Sequence, residues 1–168
     1  MMLPANNHEK LGRLILAVSL SSIAALILMV MRVPDWLFNF WPDWIALVLV
    51  YWGLSKPERI GPLFGFLVGT ILEVLFVRKF GALGFGYATL VFIVNSFNQQ
   101  LKIIPLWQQT ILVAIFISIV KIVVGWLYGI VADFTITAQY FYSMFGNLLL
   151  WPFVFILLDE FRRSMRIK

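Results

Sequence analysis

Cysteine, histidine and charged residues are scarce in this chain. It has no cysteine, one histidine and only 12% charged residues among its 168. The absence of cysteine excludes disulfides and thiolate metal sites. Soluble domains carry roughly 25% charged residues, and the 13 basic and 8 acidic residues here mostly cluster between apolar runs. They cannot supply the polar outer face of a soluble domain, so the composition indicates a protein that lies in lipid.

Catalytic motifs are also missing. The one histidine, His8, lies in the polar N-terminus, and the sequence has no HExxH, no GxSxG, no paired intramembrane aspartates and no glycine-rich phosphate loop. Glu73 is the only acidic residue well inside an apolar run, and one carboxylate cannot supply both acid and base. The net charge of +5 is spread over loops and the tail, unlike a nucleic-acid-binding face. We therefore expect no enzyme activity, no cofactor, no metal site and no nucleic-acid partner.

Long apolar runs make up most of the sequence. Hydrophobic residues account for 62% of the chain, and the mean hydropathy is +0.94. The first run, Leu14 to Met31, is about 27 Å long as a helix. A charged Arg-Val-Pro-Asp sequence follows it, which favours a retained helix over a signal peptide. We predict an all-α, polytopic bundle that forms one membrane domain over residues 1–168. Its six helices are expected at residues 14–31, 42–54, 60–77, 82–97, 106–130 and 138–158, with a basic cytoplasmic tail at 159–168.

The distribution of Lys and Arg predicts the orientation of these helices. Six crossings place both termini on one side, and cytoplasmic loops are richer in Lys and Arg than exported loops. With both termini inside, nine Lys and Arg fall on the cytoplasmic side and three on the outer side. We therefore predict a multi-pass protein of the bacterial inner membrane with both termini in the cytoplasm. The three outer residues are Arg32, Arg78 and Lys79. Arg78 and Lys79 lie together in one outer loop, which is an exception to the excess of basic residues in cytoplasmic loops.

An aromatic segment follows the first predicted helix. Trp36, Trp41 and Trp44 flank Pro42 and Asp43 there, and tryptophan rings favour the headgroup zone of a membrane. Proline costs nothing at the first position of a helix, and a carboxylate favours the positive end of the helix dipole. We expect an interfacial segment on the periplasmic side that leads into the second helix. A plain aromatic belt would explain the same tryptophans.

Glycines at every fourth position mark two predicted helices. Gly61, Gly65 and Gly69 fall on nearly one face of the third helix, and Gly125 and Gly129 share a stripe of the fifth. Small residues at this spacing let another helix approach to backbone distance in lipid. Both stripes are candidate surfaces for helix packing or for a partner's transmembrane helix. Glycine is also common in membrane helices without such a role.

Two charged residues interrupt the apolar runs. Glu73 continues the glycine stripe of the third helix, and Lys121 continues that of the fifth. Each would cost several kcal/mol if it faced lipid alone, so both should face the interior. Along the helical rise, Glu73 lies about 18 Å from Gly61 and Lys121 about 22 Å from Leu106. We predict a buried ion pair between them, with a solute-binding charge or a proton relay as alternatives.

Several sequence motifs occur in a characteristic order. They are Trp-Pro-Asp-Trp at the start of the second helix and Leu-Val-Tyr-Trp at its end, the stripe Gly65, Gly69 and Glu73, Leu-Trp-Gln-Gln from Leu106, and Asn147 to Trp151 and Pro152 in the sixth helix. In this order and spacing, and over nearly the whole chain, the sequence resembles the rod shape-determining MreD family. Members of that family more often have aspartate at the position of Glu73.

This resemblance implies a non-enzymatic role and a fold similar to the substrate-binding subunits of energy-coupling-factor vitamin transporters. MreD-like proteins lie in the inner membrane with the bitopic partner MreC, and act with MreB, RodA and penicillin-binding protein 2 to direct lateral wall growth and cell shape. Direct binding of MreC is therefore expected, and a homodimer stays open. Trp151-Pro152 is also explained as a helix kink, and the basic tail as a topology signal or a contact with anionic lipid.

A different class stays open, namely a small-solute-binding membrane subunit of a transporter. The implied fold, the buried charges and the amides Asn95, Asn98, Gln99 and Asn147 support it. It would need a polar cavity open to the outside, whereas most of these amides lie toward the predicted cytoplasmic end. A generic assembly subunit embedded in lipid is the third alternative.

Overall fold

Helices make up all of the regular secondary structure in the part of the chain that the structure describes. The structure is a computed structural model, and it describes residues 7–32, 34, 40–76, 81–131 and 139–165. The all-α prediction is confirmed there. The seven helices of these residues are α1 (Asn7–Val30), α2 (Trp44–Ser55), α3 (Pro62–Leu75), α4 (Ala82–Ser96), α5 (Asn98–Ile103), α6 (Leu106–Val131) and α7 (Gln139–Ser164).

Three of these helices are long and apolar enough to cross a membrane. The spans are Leu11–Val30 in α1, Leu106–Gly129 in α6 and Tyr142–Ser164 in α7. Helices α2, α3 and α4 are also apolar but have only 12, 14 and 15 residues, which is about 18–23 Å of helix. A hydrocarbon core is about 30 Å thick. Each of these three helices is therefore shorter than the thickness of a hydrocarbon core.

Helix α2 lies at the centre of the bundle. Every residue from Ile45 to Leu54 is buried, because a helix that is apolar on all sides needs neighbours on all sides. It packs against α1, α4, α5 and α7. Helix α3 packs against α4, and α6 packs against both α4 and α7.

The contacts define two ends of the bundle. At the tail end, Ser55 of α2, Leu106 of α6 and Asp159 of α7 line one pocket. At the opposite end, Asp43 meets Lys121 of α6 and Asn147 of α7, and we call this the Asp43 end. Helices α2 and α7 thus run from the Asp43 end to the tail end, and α6 runs the other way.

The observed helices differ from the predicted ones in three places. Helix α1 begins at Asn7 and not at residue 14, because its first turns are polar and carry no hydrophobicity signal. Helix α7 continues to Ser164, so that Asp159, Arg162 and Arg163 lie within it and not in a separate tail. A run of charged residues in the sequence usually predicts the end of a helix. Here Asp159 pairs with Arg162 and Arg163, three and four residues later in the chain. Pairs at this spacing stabilise a helix. The short helix Asn98–Ile103 is absent from the prediction because its six residues carry little apolar periodicity.

Candidate functional site

The chain enters α2 between other helices, at Pro42 and Asp43. Both residues are buried, and the Asp43 carboxylate accepts a hydrogen bond from the backbone N–H of Ala46 at 3.1 Å. This contact caps α2, because the first N–H groups of a helix have no partner within it. Non-helical backbone is tolerated at such depth where protein covers it. The structure therefore places this helix start among the other helices of the bundle, and its position at the membrane interface stays a prediction.

Four helices meet around the Asp43 carboxylate. The Tyr87 hydroxyl of α4 donates to it at 3.0 Å, and the Lys121 ammonium of α6 lies 3.9 Å away. Lys121 also donates to Ser143 Oγ of α7 at 3.2 Å. Asn147 Oδ1 of α7 accepts the backbone N–H of Asp43 at 2.9 Å. We call these five residues the Asp43 cluster.

Four of the five residues of the Asp43 cluster are buried and Lys121 is partly exposed, so losing a contact among the buried groups is costly. Asp43 is 8% exposed and Asn147 is fully buried, and a buried carboxylate deprived of its partner costs several kcal/mol. The amide nitrogen of Asn147 has no acceptor among the described residues. The cluster therefore fixes the relative positions of four helices and leaves one donor of Asn147 unsatisfied.

Gly146 makes room for the chain that leads into α2. A Cβ built at this position would overlap the carbonyl oxygen of Phe40, so α7 passes this segment at backbone distance. The Phe40 ring packs beside Tyr142, with ring centres 5.6 Å apart. Gly146 could not be recognised from the sequence, because a glycine outside a repeated spacing carries no packing signal. Its position next to Asn147 is the only hint in the sequence.

A second buried carboxylate, that of Glu73, caps helix α4. Glu73 is fully buried and accepts hydrogen bonds from the backbone N–H groups of Gly81 and Leu83, both at 2.6 Å. The Tyr128 hydroxyl of α6 donates to it at 3.2 Å. Gly81 adopts a φ of 99°, a conformation that favours glycine, and provides no side chain of its own. Glu73 of α3 therefore supplies the acceptor for the first N–H groups of α4. It lies at the N-terminal end of α4, where the helix dipole favours negative charge.

This geometry corrects the predicted Glu73–Lys121 ion pair, because the two residues take different partners. Glu73 meets Tyr128, which lies seven residues beyond Lys121, or about 10 Å along α6. The predicted pair assumed that Glu73 and Lys121 lie at the same depth when each is counted from the start of its helix. Helices α3 and α6 do not start at the same depth, so the two residues do not meet. The carboxylate beside Lys121 is that of Asp43, which the sequence analysis placed at the membrane surface.

The glycine stripe of α3 is largely used within the fold. A Cβ at Gly65 would lie 2.5 Å from the carbonyl oxygen of Tyr87, and one at Gly69 would lie 2.6 Å from Gly84 Cα. Helices α3 and α4 therefore pack at backbone distance, and these two glycines are not accessible to a partner. At Gly61, by contrast, nothing lies within 4 Å of a built Cβ.

The glycines of α4 and α6 complete this close packing. Gly84 faces α3, and a Cβ at Gly86 would overlap the Val124 side chain of α6. Gly84 and Gly86 are two residues apart and therefore lie on opposite faces of α4. Glycines at this spacing do not stand out when the sequence is read for glycines at every fourth position. On α6, Gly125 is buried and Gly129 is exposed, so only the second is open to a partner.

The aromatic segment before α2 is described in part. Trp36 lies outside the described residues. Trp41 and Trp44 are half-buried and pack edge to face with ring centres 5.7 Å apart. Their indole N–H groups have no acceptor among the described residues. Because Pro42 and Asp43 between them are buried, this part of the segment packs against the helices.

Comparison with known proteins gives the family. The family model described as "rod shape-determining protein MreD" matches residues 8–161. The chain belongs to the MreD family. It is also similar to the "Rod shape-determining protein MreD" of Haemophilus influenzae, with 27% identity over 131 residues that cover 75% of this chain and 78% of that protein. No solved structure gives a significant match.

The motifs that carry the resemblance to MreD lie at contacts between helices. Trp52, at the end of α2, donates its indole N–H to Ser21 of α1 at 2.9 Å. Gln109, of the Leu-Trp-Gln-Gln motif, donates to the carbonyl oxygen of Leu101 at 3.1 Å and so ties α6 to α5. In the described part of the chain, no three His, Cys, Asp or Glu side chains gather into a metal-binding group. These MreD motifs therefore act in helix packing.

The remaining MreD motif, Trp151-Pro152, lies inside α7. Trp151 is fully buried and packs beside Phe155, with ring centres 5.8 Å apart. Pro152 has no N–H for the helical hydrogen bond, yet α7 continues beyond it to Ser164. Trp151 thus places this part of α7 in the core of the bundle.

Proposed function

We propose that this chain is a non-enzymatic membrane scaffold of the bacterial cell-elongation (rod) complex. It binds MreC directly and acts with MreB, RodA and penicillin-binding protein 2 to direct lateral peptidoglycan synthesis and cell shape. The observation that carries the proposal is the match of the MreD family model to residues 8–161, which is nearly the whole chain. The chain acts as one domain, crosses the inner membrane six times and keeps both termini in the cytoplasm.

The contacts of the buried carboxylates support the role of a scaffold over that of a catalyst. Asp43 caps α2 and meets Tyr87 and Lys121, and Glu73 caps α4. These groups hold helices together. A general acid or base would instead need to lie within hydrogen-bond reach of a substrate, so that it could transfer a proton to or from it.

The proposed orientation is supported by where the charged residues of the described chain lie. Lys56 and Arg59 follow α2, Lys102 ends α5, and Arg162 and Arg163 lie in the last turns of α7. All of these positions belong to the tail end. An excess of Lys and Arg marks the cytoplasmic side of a membrane protein, so the tail end faces the cytoplasm.

The surface that meets MreC must be one that the fold leaves open. Gly65 and Gly69 are closed by α4 and cannot serve. Gly61, just before α3, and Gly129 of α6 remain accessible, and small residues there allow a transmembrane helix to approach closely. We propose these two positions as contacts for the transmembrane helix of MreC, or for a second copy of the chain in a homodimer.

A detergent pull-down at native expression tests the proposal. The chain carries a tag after Lys168, and its partners are read by mass spectrometry. We expect recovery of MreC and of the wall-elongation synthases, weakened by Gly61→Leu or Gly129→Leu. Gly12→Leu is the matched control, because nothing lies within 4 Å of a Cβ at Gly12. Recovery of no elongation component by the folded wild-type chain would contradict the proposal.

The second candidate function is a solute-binding subunit of a transporter, and one observation favours it. The buried amide nitrogen of Asn147 has no acceptor in the described chain, as a solute-binding donor would before its ligand arrives. Other amides named for this function are engaged: Asn95 donates to the Ile60 carbonyl, and Asn98 to the Gly53 and Leu54 carbonyls. Recovery of an ATPase transport module in the same pull-down would favour this function over the scaffold.

A further inference from the structure

The tail end of the bundle contains a pocket that none of the functions above uses. Its volume is about 390 Å³, within the size range of small-ligand sites. Its lining includes the apolar side chains Leu54, Ile104 and Phe155. Two cationic side chains, Lys102 of α5 and Arg162 of α7, and the Asp159 carboxylate line it as well. The pocket is therefore amphiphilic.

The cations of this pocket are only partly neutralised by the protein. Arg162 Nη2 donates to the Asp159 carboxylate at 2.6 Å, but its buried Nε has no acceptor among the described residues. Asp159 is shared, since it also accepts from Arg163 Nε at 2.9 Å and from the Tyr51 hydroxyl at 3.3 Å. Lys102 is exposed and has no hydrogen bond or ion pair in the described structure. The pocket thus keeps positive charge available to an anion.

We propose that this pocket binds the phosphate of an anionic phospholipid, with the phosphodiester between Lys102 and Arg162. A guanidinium and an ammonium are the usual protein groups for this oxygen-rich anion. Basic pockets between transmembrane helices bind anionic headgroups. The apolar lining residues Leu54, Ile104 and Phe155 take the beginning of an acyl chain. This contact favours a lipid over a free phosphate ion, which has the same charge chemistry but no apolar part.

Native mass spectrometry of the full chain in neutral detergent tests the proposal. Dioleoyl phosphatidylglycerol is titrated in parallel with dioleoyl phosphatidylcholine, which has a phosphate but no net charge, and with inorganic phosphate. The wild type should bind phosphatidylglycerol in preference to both. Lys102→Gln should weaken this binding about fivefold, and adding Arg162→Gln should weaken it by a similar factor again. Lys102 has no structural partner, so its single variant tests the site without endangering the fold.

The matched control is Arg59→Gln, which is compared with Lys102→Gln. It also removes one positive charge from the tail end, but its side chain is exposed and does not line the pocket. The control should bind phosphatidylglycerol as the wild type does. Equal loss in Lys102→Gln and Arg59→Gln would overturn the proposal in favour of general surface charge. Equal binding of the two lipids, or binding of inorganic phosphate without the lipid, would overturn it as well.

Discussion

The charged side chains inside the bundle, Asp43, Glu73 and Lys121, each contact a group on a different helix. Two of them satisfy the first N–H groups of a helix, which otherwise have no partner. In lipid, where water cannot replace a missing partner, such contacts satisfy buried polar groups and link neighbouring helices. At the scale of single residues, the polar interior of this MreD-family chain therefore defines the fold.

Replacing Glu73 tests its role as the cap of α4. Glu73→Ala leaves the N–H groups of Gly81 and Leu83 and the Tyr128 hydroxyl without their acceptor. We expect a loss of about 2–4 kcal/mol in the free energy of unfolding, which corresponds to a Tm lower by roughly 6–12 °C. Thermal unfolding in detergent measures the change.

Two further variants make the Glu73 prediction specific. Glu73→Gln keeps one acceptor oxygen and should lose less stability than Glu73→Ala. Glu58→Ala removes the same charge from an exposed loop position, and it should change Tm by less than about 2 °C. An equal Tm for Glu73→Ala and the wild type would contradict the capping role.

A double-mutant cycle separates the observed partner of Lys121 from the one expected from the sequence. Asp43→Asn and Lys121→Met should be coupled by about 1 kcal/mol, because the two charged groups are in contact. Glu73→Gln and Lys121→Met should be additive within about 0.5 kcal/mol, since their partners differ. Unfolding free energies of the single and double variants give both couplings. If Lys121 were strongly coupled to Glu73 and not to Asp43, the observed Asp43 contact would be contradicted and the predicted Glu73–Lys121 ion pair would be supported.

At the scale of helices, the hairpin of α3 and α4 depends on backbone contact. Gly69→Ala would place a Cβ 2.6 Å from both Gly84 Cα and the Leu83 carbonyl oxygen, and backbone atoms cannot give way cheaply. We expect a loss of about 1–3 kcal/mol in unfolding free energy. Gly12→Ala in α1, where nothing lies within 4 Å, should be neutral or slightly stabilising. Equal stability of the two variants would show that α3 and α4 are not packed this closely.

Most helices could be predicted from the sequence because their signals are local. Apolar runs bounded by proline, glycine and charge give the position of α2, α3, α4 and α6 within a few residues. The extension of α7 to Ser164 depends on ion pairs of Asp159 along the helix, which a hydrophobicity pattern does not report. The six-residue α5 is held by contacts such as Gln109 to Leu101, which are not local.

The partners of the buried charges could not be predicted, because they depend on how far one helix is shifted along another. The sequence correctly marks Glu73 and Lys121 as residues that need partners. It does not show that α2 begins deep in the bundle, so Asp43 could not be recognised as the carboxylate beside Lys121. The similarity to substrate-binding subunits of energy-coupling-factor transporters stays a prediction.

At the scale of the whole molecule, the absence of native cysteine makes the topology directly testable. Single cysteines at the exposed positions Glu58, Gln99 and Ser164 should all resist a membrane-impermeant maleimide in intact spheroplasts, because the tail end is expected in the cytoplasm. Cysteine at Pro34, before α2, should be labelled. Permeabilised cells provide the control in which all four positions react. Labelling of Ser164 but not Pro34 in intact spheroplasts would reverse the orientation.

The measurement that tests the account most directly is cell shape in a rod-shaped bacterium where this chain is the only MreD-family protein. The double variant Asp43→Asn, Lys121→Met removes both charges of the ion pair while keeping side chains of similar size. A scaffold predicts rods whenever the variant accumulates in the membrane at the wild-type level, since the charges serve the fold alone. Round cells at an equal level of folded variant would contradict the account, because they would show that these charges act in chemistry or transport.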